Sequence, residues 1–95
     1  MTKQKTIYRR RVHVNRKRID PATVMAGKFL LLRREAQLLY FYLAVQADEN
    51  SLVDVYVVSN MIGLSFVEIR ILAESGFIEF VSADSTTVRV IGLCD

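Results

Sequence analysis

One cysteine and one histidine in 95 residues leave little from which to build a reactive centre. Cys94 alone allows no internal disulfide and no Cys-rich metal site. His13 stands between two valines in a basic stretch, far in sequence from Cys94, so no nucleophile–base pair is suggested. Cys94 reads as a passive thiol near the end of the chain, and His13 as an exposed strand residue or at most a phosphate contact. The phosphate-cradling patterns G-x-G-x-x-G and G-x-x-x-x-G-K are absent. Acids are scattered singly along helices and turns, which argues against a carboxylate-only metal site. No catalytic residue, metal or cofactor is expected, and the chain reads as a non-enzyme.

Long apolar runs are also missing. The longest, Leu38 to Val45, has the length of a buried helix, far short of the roughly 20 residues that a membrane span needs. The basic N-terminus is not followed by the apolar core of a signal peptide. Repeats, low-complexity tracts and linkers are absent. A cytoplasmic protein with no membrane partner fits these absences.

What is present is a sorting of charge by position. From Met1 to Arg34, eleven cations (Lys3, Lys5, Arg9, Arg10, Arg11, Arg16, Lys17, Arg18, Lys28, Arg33, Arg34) face the single acid Asp20, a balance of +10. From Glu35 to Asp95, only Arg70 and Arg89 face nine acids, a balance of −7. Residues 1–19 therefore read as a basic arm and residues 20–95 as the folded domain. Such an arm is drawn to a polyanion, above all nucleic acid, through phosphate contacts that release counterions. The competing reading is a solvated tail. Ile7, Tyr8, Val12 and Val14 lie among the charges, and a pure solubility tail does not need them. Apolar residues make up 52% of the chain, more than so small a globule can hide. Some apolar surface is left for a partner or a second copy.

Residues 1–6 read as an unfolded start, and Val12 and Val14 alternate with polar residues as in a short strand. Asp20 suits a helix N-cap and Pro21 the first helical position, where a missing N–H costs nothing. A helix from Pro21 toward Leu31 is expected, weakened in its middle by Gly27. Glu35 to Asn50 is the strongest helical segment. It is apolar nearly all round from Leu38 to Val45, which places it at the centre of the domain. Residues 48–51 form the turn that ends it. Leu52 to Val58 is β-branched like a strand, yet Asp54 and Gly63 frame a short helix. The link Gly63-Leu64-Ser65 favours the helix, because Ser65 and Glu68 have the spacing of a capping box opening the next one. Gly76 ends that helix, and Phe77–Val81 and Thr86–Ile91 read as two strands joined by a turn. The order predicts a mainly α (α+β) fold, a winged helix-turn-helix of three to four helices with a C-terminal β-hairpin wing.

Phe29-Leu30, Ala36-Gln37, Leu39-Tyr40-Phe41, Leu43, Ala47-Asp48-Glu49, Met61-Ile62-Gly63, Leu72 and Gly76-Phe77 together resemble the N-terminal winged-helix domain of phage replisome organisers and DnaD-like primosomal proteins. The resemblance runs from about Lys28 to Val90, and it is carried by order and spacing rather than by any single piece. It implies the same fold and a role in DNA metabolism, in a bacterial or phage-infected cell. Arg33-Arg34 stand where that family usually has a proline-containing turn, so the join there is expected to differ. Members that organise replisomes carry a further C-terminal region for helicase and DNA. This chain stops after the wing, so helicase loading is not implied.

In a helix-turn-helix the reading helix would be Ser65–Ser75. Phe66, Ile69, Leu72 and Ala73 share its core side, and Val67, Arg70, Ile71 and Glu74 the opposite one. One arginine, two aliphatics and an acid suit DNA poorly and a protein interface better. Packing of Val67 and Ile71 under the arm or wing is an equal alternative. DNA contacts are accordingly assigned to the cations of the first 34 residues, with Arg89 on the last strand as a minor wing contact. Tyr8 is the arm's aromatic, a stacking or packing residue. Engagement of six to ten charges would weaken binding by roughly 10³–10⁵ between 50 and 200 mM salt. The expected function is a small phage-type DNA-binding protein of replication initiation or transcription control. The alternative is a protein-interaction module that self-associates or docks on a replication or host-defence protein; an RNA-binding role ranks last, for want of a sheet-borne aromatic pair.

Overall fold

Asp20 and Pro21 open the first helix as their chemistry requires. Asp20 has an extended backbone, and its Oδ1 accepts from the Ala22 N–H at 3.0 Å. The structure, a computed structural model, describes residues 17–95. In chain order these form β1 (Arg18–Ile19), α1 (Pro21–Met25), α2 (Gly27–Leu30), α3 (Arg34–Gln46), β2 (Leu52–Asp54), α4 (Val55–Met61), α5 (Phe66–Glu74), β3 (Ile78–Phe80), β4 (Thr87–Val90) and β5 (Leu93–Cys94). The described residues are thus a small α+β fold of five helices and two antiparallel sheets. The expected strand around Val12 and Val14 lies outside them.

The single helix expected over residues 21–31 is broken at Ala26, whose ψ of 145° is extended. Neither half has a continuous apolar face to bury. The break instead lets Phe29, 2% exposed, turn into the core. There its ring meets Tyr40 and Phe77 edge-to-face at centroid distances of 5.2 and 5.3 Å. Such pairs add about 0.5–1.5 kcal/mol each beyond the area they bury.

α3 is the spine, but it is not enclosed on all sides as its composition predicts. Ala36, Leu39, Tyr40, Leu43 and Ala44 are buried, while Leu38, Phe41, Tyr42 and Val45 remain 38–71% exposed. The reason is one-sided packing: α4, α5 and β4 all lie against one flank. The Tyr40 hydroxyl donates to the Ile91 carbonyl at 2.6 Å, tying this helix to the turn between β4 and β5.

Residues 52–58 resolve as both of the readings their composition allows. Leu52–Asp54 pairs antiparallel with β4, Leu52 opposite Arg89 and Asp54 opposite Thr87. Asp54 then caps α4: its Oδ1 accepts from the N–H groups of Tyr56 and Val57 at 3.0 and 3.2 Å. Its other oxygen accepts from the Thr86 hydroxyl at 2.9 Å. Gly63, at φ +73°, turns the chain from α4 into α5. The capping box forms, with the Ser65 N–H donating to Glu68 Oε1 at 3.1 Å and the Val67 N–H to Ser65 Oγ at 3.2 Å. β3 and β4 make the expected hairpin, and the sheet order is β2-β4-β3. β1 pairs with β5, so Arg18 and Ile19 belong to the folded body.

Candidate nucleic-acid interface

A nucleic-acid surface needs cations that are free and turned the same way. Of the assigned residues, Lys3, Lys5, Tyr8, Arg9, Arg10, Arg11 and Arg16 lie outside the described residues. The remainder sit on separate elements, and most already have an anionic or aromatic partner. Lys17 Nζ lies 3.0 Å from Asp95 Oδ1, and Arg18 donates a long hydrogen bond of 3.5 Å to the Asp95 carbonyl. Lys28 sits 5.7 Å above the centre of the Phe77 ring. Arg33 reaches Glu35 and Glu68, both at 3.7 Å. Arg89 Nη1 lies 3.2 Å from Glu79 Oε1, its cross-strand neighbour. Arg34, exposed on the first turn of α3, has no ion-pair partner among the described residues. Lys17 and Arg18 both reach Asp95, and Arg34 stands beside Arg33 at the start of α3.

The α5 face departs from its expected sorting in two places. Ile71, assigned to the outer face, is half-buried against the core. Phe66, assigned to the core, is 54% exposed and stacks on Tyr56 at 6.4 Å. The buried arc of α5 is centred on Leu72 with Glu68 and Ile69 beside it, so Phe66 and Ile71 fall at its two borders. Val67 is exposed as expected, and Arg70 pairs with Glu74 at 3.3 Å. The helix presents no free cation to a groove.

Glu68, the acid of the capping box, has its side chain turned in and almost fully buried. Burial works to raise its carboxyl. Hydrogen bonds from Ser65 and from its own backbone N–H, with the Arg33 guanidinium, outweigh that and hold it below the usual carboxylate range. One of the cations assigned to DNA is thus engaged in fixing α5 to α3.

No group of three His, Cys, Asp or Glu is placed to hold a metal among the described residues, and no helix there is long and apolar enough to cross a membrane. The feature that the site reading missed is the outer face of α3. Its signal was legible in the all-round apolarity of residues 38–45, which burial on one flank cannot satisfy. No protein-family model, curated protein or solved structure matches the chain.

Proposed function

We propose that this chain is a small DNA-binding protein of winged-helix type, with α4 and α5 as the helix-turn-helix and β3–β4 as the wing. It acts in replication initiation or transcription control, in the cytoplasm of a bacterial or phage-infected cell, with no catalysis of its own. The observation that carries this reading is the charge division at Asp20. Eight cations and no acid precede it, while five cations and ten acids make up the rest of the chain. Because the body's cations are mostly paired internally, contact with phosphate falls to the residues before Lys17, and sequence-independent binding is expected. The alternative, a protein-interaction module, draws its support from the exposed face of α3 rather than from Val67 and Ile71.

Fluorescence anisotropy with labelled duplex and single-stranded DNA between 50 and 200 mM salt tests the reading. Replacing Arg9, Arg10 and Arg11 together by Ala is expected to reduce the salt slope by about 3, one unit per lost phosphate contact. Arg70→Ala is expected to change nothing. Absence of salt-dependent binding to either DNA, or an Arg70→Ala effect as large as the triple variant's, overturns it.

A further inference from the structure

Asp95 stands where the basic stretch joins the body. β1 pairs there with β5, Arg18 opposite Cys94 and Ile19 opposite Leu93, and the Asp20 N–H donates to the Gly92 carbonyl at 2.8 Å. The last two cations before Asp20 both turn to Asp95 across this ladder. Lys17 Nζ meets its Oδ1 at 3.0 Å, and Arg18 Nη2 donates to its main-chain carbonyl at 3.5 Å.

The two sides of the Lys17 contact are held unequally. The Lys17 side chain is 21% exposed, and its stem lines a hollow with Ile19, Ala44, Val45 and Leu93. The Asp95 side chain is 88% exposed. The cation is thus seated against α3 and β5, and the acid reaches it from the solvent side. A pair with so exposed an acid is worth little, so another anion can take the acid's place. Arg16, Lys17 and Arg18 are consecutive in sequence, so a polyanion that engages the arm meets Lys17 next.

We propose that Asp95 is an autoinhibitory acid, which occupies Lys17 in the unbound chain and competes with phosphate for it. On the reading that the arm contacts DNA, this restrains that contact at its root. Binding is weaker than the arm's charge alone gives, because part of it goes to displacing the acid. Arg18 is restrained differently: its bond is to the main chain, and a change of the Asp95 side chain leaves it in place.

Fluorescence anisotropy with a labelled DNA duplex at about 50 mM salt tests this on four full-length chains: native, Asp95→Asn, Lys17→Gln and the double variant. Asp95→Asn is expected to tighten binding about two- to fivefold. In the Lys17→Gln chain the same change is expected to give no such gain. An equal gain with and without Lys17 reports only the loss of a negative charge and overturns the proposal. So does an Asp95→Asn chain that binds no tighter than the native one.

A second measurement needs no nucleic acid. Trypsin cleavage after Lys17, followed by mass spectrometry, is expected to run about two- to fivefold faster in Asp95→Asn than in the native chain. An unchanged rate overturns the proposal. Faster cleavage with no DNA binding by any of the four chains overturns the arm's DNA reading and the competition with it, while the Asp95 contact itself stands.

Discussion

Arg33 Nη2 stands 3.7 Å from Glu68 Oε2, so the N-cap residue of α3 is held against the first turn of α5. Glu68 is nearly inaccessible, whereas Arg33 is half in solvent, so the acid stands to lose more if the contact is broken. The same carboxylate accepts from the Ser65 N–H and hydroxyl at 3.1 and 2.8 Å.

Removing that carboxylate therefore strips a helix cap and an ion pair together. Glu68→Ala is expected to cost about 1–3 kcal/mol, and Glu68→Gln, which keeps the acceptor oxygen, about 1 kcal/mol. The folded carboxyl lies below its ordinary value of 4.5, so its contribution is complete above that pH and is lost as pH falls through the depressed folded value. Urea denaturation from pH 7 to 2 should show a steeper acid loss in the native chain than in Glu68→Gln.

Tyr40 predicts the alkaline limb. Burial first, and Asp20 second, push its hydroxyl from 10.0 up to about 12. The folded state favours the neutral phenol, which donates to the Ile91 carbonyl at 2.6 Å. Its contribution is thus complete below pH 10 and is lost as pH rises through about 12. Tyr40→Phe is expected to cost about 1–2 kcal/mol at neutral pH and to lose this part of the alkaline dependence, as followed by denaturant titration.

Gly92 has φ +92°, and a Cβ built there would meet Thr23 Oγ1 at 2.6 Å, Thr23 Cγ2 at 2.7 Å and the Tyr40 hydroxyl at 2.9 Å. Gly92→Ala combines a left-handed backbone with overpacking and is expected to cost about 2–4 kcal/mol. Thr23→Ala removes two of the three obstructing atoms. A double variant more stable than the sum of its parts, by thermal unfolding, would confirm the contact.

Arg89 tests whether pairing silences a cation toward DNA. With Glu79 at 3.2 Å, Arg89→Ala is expected to leave the salt slope of binding unchanged. Glu79→Gln frees the guanidinium and is expected to steepen the slope by up to about 1.

Local chemistry explains what was legible beforehand. Asp20 with Pro21, Asp54 with Gly63, and Ser65 with Glu68 satisfy helix ends from within a few residues, so their roles need no distant partner. Residues 52–58 were ambiguous because strand formation there depends on β4, more than 30 residues away, whose register alone decides that Leu52–Asp54 is a strand. The candidate site was less legible. Cations can be counted from sequence, but whether Arg33 meets Glu68 or Arg89 meets Glu79 depends on which elements are brought side by side.

Taken alone, the order of residues determined the helix starts capped by Asp20 and Ser65, the position of the hairpin, and the division of charge at Asp20, because each follows from neighbours a turn or less apart or from composition; the break at Ala26 was not among them. Tertiary structure decided which flank of α3 is covered, which cations are neutralised, and that Arg18 and Ile19 join the body by pairing with Cys94 and Leu93. Those outcomes rest on contacts between residues distant in the chain. Neither periodicity nor charge counting can place such residues side by side.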